Sequence, residues 1–167
     1  MALAPFVSLI FPGLMVLSAA LDLLTMRIPN WIPAALTLGY LVLAAGCLPP
    51  QAILYDVCCG LAILVMTLAM FILRWIGGGD AKLAAATALW MGWGSILDYG
   101  VTASICGGLL TLGLLTARAR PLPTILAQHA GIARLHDREA GVPYGIALAV
   151  AGLIEYPHTA AWTTALR

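Results

Sequence analysis

Asp22 stands near the end of the first long apolar run of this chain, and Asp80 closes Gly77-Gly78-Gly79-Asp80 at the end of another. A carboxylate near hydrocarbon is costly unless it is paired or protonated, so an ionisable residue there marks a functional site by default. Held close, two carboxylates cannot both ionise easily, and the pair titrates as a unit. The ionised member takes a proton from water while the protonated member polarises a peptide carbonyl. That is aspartyl proteolysis, and it requires neither a metal nor an organic cofactor. The competing reading keeps the two apart as helix-end residues at headgroup level, with Asp80 an N-cap.

The elements that must position them follow from composition. The 167 residues are 62% hydrophobic and 9% charged, against about a quarter charged in soluble domains. At roughly 20 apolar residues per span, the expected fold is all-α, a polytopic membrane protein of about six transmembrane helices. They form one domain over residues 1–167. The apolar runs predict helices near 4–24, 31–48, 52–73, 82–97, 99–117 and 141–155, broken at Arg27-Ile28-Pro29-Asn30, Pro49-Pro50-Gln51, Arg74 to Asp80, Asp98 and the 118–139 stretch. Residues 4–24 read as a retained helix, because a secretory signal starts with positive charge and the first basic residue here is Arg27.

Basic residues favour the cytoplasmic side. Arg27, Arg74, Lys82, Arg118, Arg120, Arg134 and Arg138 fall in alternate connections, and among the Lys and Arg side chains that leaves Arg167 alone on the other face. This predicts both termini outside the cytoplasm, with Asp22 and Asp80 together at the cytoplasmic face. Asp56 and Asp98 are expected in interfacial water at the opposite face.

Glycines before a helix allow backbone conformations closed to other residues and a close approach by another chain. A substrate helix must unwind to be cut, and an extended segment is best held by strand-like pairing. Gly77 and Gly79 are therefore expected to keep the loop open to an extended substrate.

Gly77-Gly78-Gly79-Asp80-Ala81-Lys82-Leu83 resembles the G-x-G-D-x-K-L pattern of type IV prepilin peptidases, intramembrane aspartyl proteases of the GxGD class. Asp22 with Arg27-Ile28-Pro29-Asn30 resembles the segment carrying that family's other catalytic aspartate. Val142-Pro143-Tyr144-Gly145 is similar to its P-Y-G element. The resemblance implies removal of short basic leader peptides from prepilins or pseudopilins at the cytoplasmic face of the bacterial inner membrane. Asp22 and Asp80 match the catalytic positions, and Gly77, Gly79 and Lys82 match motif positions that bear on substrate. Lys82 also reads as a headgroup anchor, or as a residue tuning Asp80. Longer members carry a cysteine-rich cytoplasmic segment, often with N-methylation of the new pilin terminus. This chain is similar to the short form of tight-adherence (Flp-type) systems, which implies no methyltransferase activity and no S-adenosylmethionine.

The expected partners are the precursor helix and the lipid bilayer. A net charge of +1 without a basic tract gives no nucleic-acid signal. Cys47, Cys58, Cys59 and Cys106 have neither zinc nor disulfide spacing and read as packing residues. The 118–139 stretch, with Ile125, Leu126, Ile132 and Leu135, has the pattern of an interfacial amphipathic helix or a solvated connector. Trp31, Trp75, Trp90 and Trp93 lie near predicted span ends, where interfacial anchoring is expected. The leading rival function is a small proton- or ion-translocating subunit relaying through Asp22 and Asp80, which calls for carboxylates strung across the bilayer.

Overall fold

The computed structural model describes residues 7–123, 128–137 and 140–165. Among the described residues the chain forms helices and no strand: α1 Ile10–Thr25, α2 Trp31–Cys47, α3 Pro50–Ile72, α4 Gly78–Arg118, α5 Ala130–His136, α6 Tyr144–Glu155, a 3-10 turn Tyr156–His158 and α7 Ala160–Ala165. Residues 4–6, Ile125, Leu126, Arg138, Glu139 and Arg167, all used in the sequence reading, lie outside the described residues.

Local chemistry sets the ends. At α1 the chain turns off through Met26 in the left-handed region (φ 55°), whose N–H bonds the Asp22 carbonyl at 2.8 Å, a common way to close a last helical turn. Helix α3 starts with Pro50 at its first position, where the missing N–H costs nothing. Gly92 (φ 59°, ψ −179°) breaks α4 into two arms, 78–91 and 93–118. A straight 41-residue helix would hold Asp80 and Gly107 about 40 Å apart along its axis. Instead Gly107 lies against the Tyr144 ring at the start of α6, whose next residue holds Asp22, so the second arm returns toward the end of the bundle where the first begins. The sequence reading set this break at Asp98. Asp98 is exposed within the second arm, and the turn falls at Gly92, where a positive φ suits glycine.

The packing pairs antiparallel helices. Phe11 and Met15 of α1 lie against Gly152 of α6 while Asp22 lies against Gly145. In α3, the Thr67 hydroxyl bonds the Ala81 carbonyl at 3.2 Å, and Gly60 lies against Leu89. The end of the bundle away from Asp22 holds an aromatic cluster. Phe11 and Tyr156 have ring centroids 4.4 Å apart, Phe11 and Trp90 5.2 Å, and Tyr40 and Trp90 5.8 Å. Trp90 is 1% exposed and donates to the Leu36 carbonyl at 3.0 Å. It is a core residue and not the interfacial anchor expected, whereas Trp31, Trp75 and Trp93 are exposed.

The exterior is apolar. Ile72 is 71% and Leu97 80% exposed, with Val65, Leu109 and many others alongside, while Ser18, Thr67, Thr87 and Ser95 are buried. Apolar surface on this scale marks a membrane or partner surface, and small and hydroxylated residues inside are usual for helices packing in lipid. Helices α3 and α4 are long and apolar enough to cross a membrane, with α1 and α2 shorter apolar helices.

Asp56 departs from its expected place in free interfacial water. It is half-buried, accepts the Tyr40 hydroxyl at 2.6 Å, and meets the Gly92 backbone in close contact. Arg118 is likewise buried. Its guanidinium donates to the Leu135 carbonyl at 2.8 Å and the Gly141 carbonyl at 2.9 Å, tying the end of α4 to the segment that leads into α6.

Candidate active site

Two helix N-termini converge on the two sequence-predicted carboxylates. The first turn of α6 exposes unpaired backbone N–H groups, as every helix start does. One of them, Gly145 N–H, donates to Asp22 Oδ2 at 2.7 Å. Asp22, in the last turn of α1, is 5% exposed. It thus serves in trans as an acceptor for the start of α6, where the helix dipole also favours an anion.

Asp80 occupies the third position of α4, with Gly77 as N-cap. Its carboxylate accepts the Gly77 N–H, which is the back-reaching half of a capping box. The N-cap role considered for Asp80 therefore falls to Gly77. Ile28 lies against both Gly79, next to Asp80, and Gly145, next to Asp22, so the two carboxylates, far apart in the chain, stand at one end of the bundle. The Tyr144 hydroxyl donates to the Ala103 carbonyl at 3.4 Å, and its ring rests on Gly107.

Ile28 is the wedge that sets the spacing. Buried in the turn after α1, it touches the starts of both α4 and α6. A β-carbon on Gly79 would lie 3.1 Å from Ile28 Cβ, and one on Gly145 would lie 2.7 Å from Ile28 Cδ1 and 2.8 Å from Asp22 Oδ2. At Gly77 an added β-carbon would come within 2.9 Å of Asp80 Oδ2. The loop glycines thus differ from expectation in one respect. None of Gly77, Gly78 and Gly79 has a positive φ, and what they provide is close approach by the Asp80 carboxylate, Phe71 and Ile28.

Lys82 turns away from the carboxylates. Its ammonium donates to Asn30 Oδ1 at 2.8 Å, bracing the Arg27–Asn30 turn against the start of α4. Among the described residues no His, Cys, Asp and Glu cluster has the makings of a metal site.

The profile of the type IV leader peptidase family matches residues 9–112. The chain belongs to that family. The matched region contains Asp22, Asn30, the glycine loop, Asp80 and Lys82, so the family match and the geometry converge on one end of the bundle. Membership makes the chain a protease of the leader-peptidase kind, and its apolar exterior is that of a membrane protein. No curated protein and no solved structure matches it. The Pro143-Tyr144-Gly145 segment lies beyond the matched region, yet it supplies the hydrogen bond that holds Asp22.

Sequence reasoning missed two contributors to this leader peptidase site. Gly145 is visible as part of a motif, but its contact with Asp22 depends on how α1 and α6 pair. Ile28 likewise lies in a motif, and its contacts with Gly79 and Gly145 depend on the same packing.

Proposed function

We propose that this leader peptidase is an aspartic-type endopeptidase that removes short basic leaders from Flp-like prepilins or pseudopilins at the cytoplasmic face of the inner membrane. It does so without methylating the new terminus. The observation that carries the proposal is that Ile28 lies against both Gly79, next to Asp80, and Gly145, whose N–H holds Asp22, within a family match that spans both carboxylates. One carboxylate, ionised, takes a proton from the attacking water. The other, protonated, polarises the scissile carbonyl and then protonates the leaving amine. The roles exchange between Asp22 and Asp80 over the cycle.

The six packed helical segments (α1, α2, α3, the two arms of α4, and α6) are proposed to cross the membrane with both termini outside the cytoplasm. Gly77 admits the Asp80 carboxylate and Gly79 admits Ile28, and together they leave room for an extended peptide beside Asp80. Lys82 braces the site through Asn30. A relay through Asp22 and Asp80 would need polar groups through the middle of the bundle. The end of the bundle away from both carboxylates is filled by the Phe11, Tyr40, Trp90 and Tyr156 rings, and no further carboxylate among the described residues stands between, which favours the peptidase reading.

Co-expression with a Flp-type prepilin, in a host lacking its own prepilin peptidase, tests the function. The reading predicts a precursor shortened at its glycine-ending leader, with an unmethylated new N-terminus by intact mass. Full-length precursor in the presence of membrane-inserted wild-type protein would count against it.

A further inference from the structure

On the side of α4 away from Asp80, helices α2 and α3 both pack on the 78–91 arm but splay from one another, leaving an apolar groove of about 630 Å³. Its walls include Ala34, Leu38, Leu61 and Leu64, and Asn30 and Lys82 stand at its mouth. The groove follows α2 from Asn30 to Leu41, about 16 Å at 1.5 Å per residue. That is about the depth of one leaflet, half of a hydrocarbon core roughly 30 Å thick.

Charge names the occupant. Lys82 is exposed, and its one hydrogen-bond partner is the neutral Asn30 amide, with no carboxylate at ion-pair distance among the described residues. Arg27 and Arg74, in the two neighbouring turns, are exposed as well. The apolar walls suit acyl chains, and the cationic mouth suits an anion.

We infer that this groove binds one anionic phospholipid of the Lys82-side leaflet, with its chains along α2 and α3 and its phosphate on the Lys82 ammonium. The inference rests on the membrane character of the chain and is independent of leader cleavage.

Native mass spectrometry of the full chain, released from micelles doped with equal phosphatidylglycerol and phosphatidylcholine, tests it. Wild type is expected to retain one phosphatidylglycerol in preference to phosphatidylcholine. Lys82→Gln should lower that retention about fivefold, the size of effect one basic residue has at an anionic membrane surface. Lys82→Arg should keep it. Ala34→Phe, at an exposed wall position, should lower retention of both lipids by filling the groove. Equal retention of the two lipids by wild type, or no change in Lys82→Gln, would overturn the assignment. So would an Ala34→Phe protein that keeps its lipid but loses crosslinking to a precursor helix, an outcome that gives the groove to the substrate. Lipid retention is read without any cleavage, so its result stands apart from the peptidase reading.

Discussion

Replacing Gly145 with alanine should cripple the site while sparing the fold. The added β-carbon would sit 2.8 Å from Asp22 Oδ2, 3.1 Å from Asp22 Cγ and 2.7 Å from Ile28 Cδ1. Ile28 can turn its terminal methyl aside. Asp22 can relieve the contact only by moving its carboxyl, and that breaks the 2.7 Å bond from the Gly145 N–H. A hydrogen bond to a charged group is worth about 1.5–3 kcal/mol net. If the whole of it is lost from the reacting arrangement, cleavage slows about 10- to 150-fold at 1.36 kcal/mol per decade. The helix itself should not suffer, because alanine favours a helix over glycine by up to about 1 kcal/mol. The assay is initial-rate cleavage of a purified precursor, with a thermal melt of each variant alongside. Gly13→Ala, where nothing lies within 4 Å of the new β-carbon, is the matched control and should cleave at the wild-type rate. Cleavage by Gly145→Ala within twofold of wild type would refute the claim that this amide positions Asp22.

Three other perturbations test the frame around the site. Gly79→Ala should slow cleavage, because its β-carbon meets Ile28 Cβ at 3.1 Å; Ile28→Ala in the same protein should restore much of the rate, and rates of the single and double variants check that coupling. Tyr40→Phe removes the donor to Asp56 at 2.6 Å and should cost about 1.5–3 kcal/mol of stability, read as a lowered melting temperature with the cleavage products unchanged. Gly92→Ala forces a side chain to φ 59° against Asp56; it should destabilise by at least about 1–2 kcal/mol, checked by the same melt.

Much of the site was legible because hydrophobicity and charge are properties of short segments. Asp22 and Asp80 could be assigned to one end of the bundle by counting apolar runs and watching where Arg and Lys fall. The break in α4 was misplaced because Asp98 attracted it, whereas the chain turns on a glycine whose backbone angle leaves no hydropathy trace. Asp56 looked like a surface acid because sequence cannot show that Tyr40 of the preceding helix reaches it. The same holds for Trp90, whose position near the end of an apolar run disguised a buried ring bonded to the Leu36 carbonyl. Gly145 and Ile28 were within quoted motifs, but their roles depend on the pairing of α1 with α6, a fact of tertiary packing.

The central claim is that Asp22 and Asp80 act as one unit, and the most direct test compares three variants in the purified cleavage assay: Asp22→Asn, Asp80→Asn and the double replacement. Residues that act as a unit are strongly non-additive. Each single variant should therefore remain folded and inserted, lose detectable cleavage, and be no better than the double. Substantial cleavage by either single variant would contradict the account.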